Sequence, residues 1–407
     1  MKNKLKIIQS IAVATFFLSP SFIFAETSRD LQTVVKGNSN FGFDLYQNLK
    51  GEEGNLFFSP YSISTALAMT YAGARGQTEK EMARVLHFSL EQDSLHFSLS
   101  KLQTHLNAIQ NKGHIKLSIA NSLWAQKNYL FLDTFFDLNK KYYGAGLNFV
   151  DFEKETETAR IAINTWVENE TQQKIKELIK RGGIDSVTTL VLCNAIYFKG
   201  NWFSQFDKER TADADFYISP VKTIKIPMMS KKSEFKFKDF GNFSAIEFPY
   251  EGNDLSMIVF LPKEIDGLVE FERNLTDDNV GIWTDKLIAS YKSEILVDFP
   301  KFKTTCEFEL SKMFSGMGMP SAFSLPPADF SGMTGRKDLF ISKIIHKAFI
   351  DVNEEGTEAA AATAVVMQMF AISRPLTFRA NHPFVFLIRE SRTGSILFIG
   401  RILDPTK

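Results

Sequence analysis

Four of the six histidines, His87, His96, His105 and His114, stand at nine-residue intervals, and repeated imidazoles are the first thing to test for metal binding. Nine residues are about two and a half helical turns, so on a helix neighbouring members point to opposite faces and share no ion. No metal site is expected. The sequence has no H-E-x-x-H, no G-x-S-x-G elbow and no Walker loop, and Gly316-Met317-Gly318 lacks the third glycine of a dinucleotide fingerprint. Residue chemistry therefore offers little to an enzyme, and no cofactor is implied. The two cysteines, Cys193 and Cys306, invite a disulfide reading if the chain is exported. Asn169, Asn242 and Asn274 each open an N-x-S/T sequon, which matters only in a host that glycosylates.

The elements that position these residues belong to a large soluble domain. The 407-residue chain has 13 prolines and no low-complexity linker to mark a boundary, and its 44% hydrophobic content with 39 phenylalanines is ample for a core. Lys2, Lys4 and Lys6 precede an apolar run from Ile7 to Leu18, then Ile23-Phe24-Ala25 before Glu26. That is a secretory signal pattern, too short and too polar at Gln9 and Ser10 for a bilayer span. It divides the chain into a signal peptide, 1–25, and one domain, 26–407. Without the signal lysines the balance is 44 basic to 47 acidic residues, which calls for neither nucleic acid nor an anionic membrane. The expected location is outside the cell, or periplasmic in a Gram-negative host.

Glu354 to Met367 reads E-E-G-T-E-A-A-A-A-T-A-V-V-M. Four alanines behind a possible N-cap favour a surface helix on composition alone. With period two, however, one face carries Thr357, Ala359, Ala361, Thr363, Val365 and Met367, mostly small residues able to slide between existing strands. The other face begins with the charge of Glu358.

The surrounding text decides between these readings. Lys347 to Val366 resembles the hinge of the inhibitory serpins nearly residue for residue, and N-H-P-F at 381–384 and L-F-I-G-R at 397–401 resemble that family's C-terminal strands. Asn55 to Gly73 is similar to its helix B region, Asn164 to Ile175 to its helix F, and Asn194 to Trp202 to the central strand of its large sheet. The resemblance runs from about residue 40 to the end.

It implies an α+β fold with a large central β-sheet A, two further sheets, about eight or nine helices and an exposed reactive-centre loop at about 354–380. The hinge would comprise Glu354, Gly356, Thr357, Glu358, Ala359, Ala360, Ala361, Ala362 and Thr363. His346 would join Ser59, Ser62 and Asn194 in a polar cluster where the sheet opens, and Trp202 would mark the breach where insertion begins. A serine–histidine pair also invites a catalytic reading, which requires an oriented base and an oxyanion hole. Cys193 and Cys306 would lie with a strand between them, against a disulfide.

Function follows as an expectation. A target protease, most simply a chymotrypsin-like serine protease, would cut the loop at Phe370–Ala371, counted forward from Gly356. Met369 and Arg374 are alternatives, the latter disfavoured by Pro375. The acyl-enzyme would be trapped as the hinge inserts as a new strand. Inhibition of papain-like cysteine proteases and a non-inhibitory carrier role are the rival functions; bulky or charged hinge residues, absent here, would mark the carrier. The stretch Ser94 to Ile115 holds only Lys101 and Lys112 beside three histidines, so no polyanion cofactor is expected. A monomer is expected.

Overall fold

A computed structural model describes residues 20–144, 147–357 and 376–407, with side chains from 29 onward. Helix α1 (Pro20–Leu49) leads through strand β1 (Leu56–Phe58) to α2 (Pro60–Tyr71), α3 (Gly76–Val85) and α4 (Gln92–Gln110). Strand β2 (Ile115–Gln126), α5 (Asp133–Tyr143), β3 (Leu147–Val150) and α6 (Thr156–Glu170) precede β4 (Leu190–Asn201). Then come β5 (Thr211–Ser219), β6 (Lys222–Asp239), β7 (Phe243–Pro249), β8 (Leu255–Pro262), β9 (Lys292–Pro300) and β10 (Phe302–Glu309). Last are β11 (Lys343–Asn353), β12 (Gly356–Thr357), β13 (Leu376–Arg379), β14 (Phe384–Glu390) and β15 (Ile396–Ile402). Four further helices between residues 268 and 334 bring the described α-helices to ten.

The sheet that carries the hinge has six strands in the order β10-β11-β12-β4-β2-β3. Its middle strand, β4, reads L-V-L-C-N-A-I-Y-F-K-G-N and is buried along nearly its whole length, the near-continuous apolar run of a strand covered on both faces. Helix α6 lies on one face, where Ile163 and Val167 meet Trp124, Cys193, Tyr197, Ile345 and Phe349. On the other face lies α2, buried at all twelve positions, its serines and threonines included. Its start is written locally: the Ser59 side chain accepts a hydrogen bond from the Ser62 N–H at 3.1 Å, and Pro60 occupies the first turn. The segment expected to be one helix from Asn164 to Ile175 ends at Glu170, because the chain turns through left-handed backbone at Gln172 and Gln173.

The remaining nine strands form one hydrogen-bonded set. The two further sheets expected are continuous through β6, whose 18 residues pair with β5 at one end, with β9 along the middle and with β7 at the other end. Their inner face meets the six-stranded sheet in a core dense in aromatics, among them Phe57, Phe198, Phe299, Phe302, Phe384, Phe386 and Phe398. Cys193 on β4 and Cys306 on β10 are both free and buried, with β11 between them. Each thiol is pushed up by burial.

The evenly spaced histidines scatter to separate partners. His87 meets Asp44, His96 the Tyr143 hydroxyl, His105 Glu390 and His114 Glu251. Among the described residues no group of three or more His, Cys, Asp or Glu side chains is placed to hold a metal.

Candidate functional site

Three strands contribute one row of polar side chains to a sheet that is otherwise apolar there. His346 on β11 stands opposite Asn194 on β4, and Asn194 stands opposite Asn121 on β2. The His346 Nδ1–H donates to Asn194 Oδ1, and Nε2 accepts from the backbone N–H of Ser59 at 3.3 Å. That pair of roles requires the neutral ring, and complete burial holds it neutral by pushing its pKa down from 6.5 to about 3. Asn194 Nδ2 donates to Ser62 Oγ at 2.6 Å and also to Asn121 Oδ1. Ser62 Oγ donates in turn to Asn121 Oδ1 at 3.3 Å, and Asn121 Nδ2 donates to the Ser62 carbonyl at 3.4 Å. Phe308 of β10 stacks on the imidazole with 7° between planes.

This is not a nucleophile and its base. The imidazole meets the backbone amide of Ser59 rather than its hydroxyl, and that hydroxyl accepts from Ser62 N–H. The row instead ties β11 to β4 and both to α2, across the seam where the two strands pair in parallel over Lys343–Phe349. Asn121 was not singled out in the sequence. The signal was there: along Ile115, Leu117, Ile119, Asn121, Leu123 and Ala125 it is the lone polar residue on an apolar face.

Beyond Phe349 the seam is already parted. Gly356 and Thr357 lie between β11 and β4, antiparallel to both, with Gly356 opposite Asn201 and Asn353, and Thr357 opposite Gly200 and Val352. Only glycine fits at 356: its φ is +153°, and an added Cβ would run into the Gly200 carbonyl oxygen and sit 2.6 Å from Asn201 Cα. The expected exposed loop is therefore corrected at its base. Glu354, Glu355, Gly356 and Thr357 are all buried, and at the far side Leu376–Arg379 is strand β13, paired in parallel with β9.

The approach to β12 is fastened by charge. Glu354 accepts from Thr211 Oγ1 at 2.7 Å and pairs with Lys301 at 3.0 Å, while Glu355 pairs with Lys208. Burial would raise the Glu354 carboxyl, but these donors hold it below the usual carboxylate value. Trp202 stands at the same place: its backbone N–H donates to the Glu355 carbonyl at 2.9 Å and its indole N–H to the Asn353 carbonyl at 3.0 Å. Its ring stacks on Tyr250 with centroids 4.8 Å apart, so it is both a core tryptophan and a contact of the hinge. A sheet built this way has a strand started in a seam whose next rungs are held by neutral hydrogen bonds.

Comparison with known proteins supplies the family. The model of the family described as "Serpin (serine protease inhibitor)" matches residues 36–405. The chain belongs to the serpin family. Leukocyte elastase inhibitor of Xenopus tropicalis is 42% identical to this serpin over 383 residues, spanning 92% of the chain and all of the relative. Serpin B3 of Homo sapiens is 41% identical over 396 residues with the same coverage. Among solved structures, human thyroxine-binding globulin aligns with a TM-score of 0.84 at 30% identity, over 93% of this chain and all of that one. Serpin48 of the insect Tenebrio molitor aligns at 0.79 and 30%, covering 93% and 98%.

Of the residues expected to act in this serpin, the structure brings Ser59, Ser62, Asn194 and His346 together and sets Glu354, Gly356, Thr357 and Trp202 at the hinge end of the same seam. Glu358, Ala359, Ala360, Ala361, Ala362, Thr363 and the reactive pair Phe370 and Ala371 lie outside the described residues.

Proposed function

We propose that this serpin is an irreversible suicide-substrate inhibitor of chymotrypsin-like serine proteases, cut between Phe370 and Ala371. One observation carries the reading: β12 is a strand already begun between β11 and β4, with the small-residue run of the hinge following it directly in sequence. Extending β12 replaces one parallel ladder by two antiparallel ones, and parallel pairing is the weaker per residue. Each added ladder hydrogen bond contributes about 0.5 to 1.5 kcal/mol net, offset in part by the entropy of ordering the loop. About fifteen residues from Gly356 to Phe370, at about 3.3 Å each, reach about 50 Å, enough to carry an acyl-linked protease along the sheet. The uncleaved fold is then a kinetic trap.

Phe370 fits a deep apolar specificity pocket, and several relatives bear the name of an inhibitor of elastase, a protease of the chymotrypsin-like class. The N-terminal signal pattern supports secretion of the working form.

The test is to mix the mature protein with a chymotrypsin-like protease, run a denaturing gel and sequence the N-terminus of the small fragment. The expected result is a complex that survives denaturation and a fragment beginning at Ala371. Cleavage without a complex makes that protease a substrate-user only, and trypsin-like and papain-like enzymes are then the next targets. Failure with all three classes overturns the inhibitory reading.

A further inference from the structure

Thr357 is completely buried, and its hydroxyl lies 2.9 Å from the hydroxyl of Tyr250, which is buried as fully. Tyr250 is held where it is by β4 and the turn that follows. Its ring stacks on Trp202 and meets Phe198 edge-on at 5.0 Å, and a Cβ on Gly200 would come within 2.9 Å of Cδ1. The phenol is thereby packed in place, with its oxygen at the spot that the Thr357 side chain occupies. Among the described residues it has no other polar partner, nor has the Thr357 hydroxyl. A buried hydroxyl left without a partner is destabilising, so each needs the other.

We propose that the Tyr250 hydroxyl is a docking post that keeps Gly356 and Thr357 in the sheet and so commits a cleaved loop to insertion rather than release. The inference rests on the inhibitory reading above. A strand that extends from Gly356 and Thr357 would keep their register, so the contact, present here before cleavage, would persist after it. The loss of freedom of these two residues is incurred before the protease arrives, and the remaining residues add to an existing end rather than start a new one. Thr357 is thereby a polar anchor, where the alanines that follow only need to be small.

The experiment compares the wild type with Tyr250→Phe, Thr357→Val and the double variant, each checked by thermal melting for a folded state. Each single change strands one buried hydroxyl; the double change removes both and keeps the shape, which is close to neutral for a hydrogen-bonded pair. With the protease that forms a complex, each single variant is expected to raise the ratio of cleaved free inhibitor to complex about five- to tenfold, and the double variant to return within about twofold of wild type. Amide exchange at Gly356 and Thr357 in the uncleaved protein should rise in Tyr250→Phe by a similar factor. Single variants that partition like the wild type, or a double variant as impaired as the two singles combined, overturn the inference. So does unchanged exchange in Tyr250→Phe, whatever the protease does. Faster exchange in that variant, with a wild type that traps no protease, overturns the inhibitory reading and leaves the docking contact standing.

Discussion

The seam between β11 and β4 is held in two unlike ways. At its middle stand neutral side chains, His346, Asn194, Asn121 and Ser62, bonded among the described residues to one another and to the start of α2. At its hinge end stand carboxylates, Glu354 and Glu355, fastened to lysines whose own side chains reach water. On the insertion mechanism proposed above, the difference separates what would move from what would stay. Parting β11 from β4 at Asn194 breaks hydrogen bonds without stranding a charge, and a neutral bond costs only about 0.5 to 1.5 kcal/mol net. Parting Glu354 from Lys301 and Thr211 while it stays buried would strand a charge, at a much higher cost, so the base of the hinge is the more firmly held end.

The comparison can be broken most severely by blocking the seam itself. Ala361→Glu places a charge on the face proposed to enter the sheet, and trapping is expected to be lost altogether, with the loop still cut; denaturing gels should show only cleaved inhibitor. Acid comes next. His346 and His96 are depressed from 6.5 to about 3 and about 4 by burial, so between pH 6.5 and those values the unfolded chain binds protons that the folded one refuses. Stability from keeping both rings neutral is complete above pH 6.5 and falls as the pH drops toward 3. The thermal midpoint should decline through that window, and His346→Gln should flatten the decline at its acid end.

Asn194→Ala removes the residue that bonds to three others and should cost about 1 to 3 kcal/mol, seen as a lower melting point and a faster spontaneous loss of inhibitory activity on storage. Lys301→Met tests the fixed end: Glu354 keeps Thr211 and the lysine is partly exposed, so about 1 to 2 kcal/mol is expected. If Lys301→Met proved wholly neutral, the charged end would not be a fixed point and the assignment of movable and fixed ends would fail. The smallest effect belongs to Lys232→Ala, which removes an exposed pair with Glu294 and should shift stability by less than about 0.5 kcal/mol in chemical denaturation.

Much of this was legible in the sequence because it is local. The start of α2 is written in Ser59-Pro60, the central strand in the apolar run of β4, and the hinge in its small residues. What was not legible depends on distant backbone. That Gly356 and Thr357 are already paired follows from close approach to Gly200 and Asn201, more than 150 residues earlier, and no period in the hinge announces it. The continuity of the nine-strand set rests on one long strand, β6, changing partners along its length. Asn121 offered only a lone break in an apolar face, and its meaning came from lying opposite Asn194.

Cys193 stands opposite Ile345 across the seam, one residue from the polar row, fully buried and with its thiol raised by burial. A closed sheet shields it from any alkylating reagent, and a thiol attacks such reagents only as the thiolate. In a Cys306→Ser background, the rate at which it is labelled is therefore a measure of how often β11 and β4 separate in the uncleaved protein. The molecule carries a chemical stopwatch at the seam that the proposed mechanism opens.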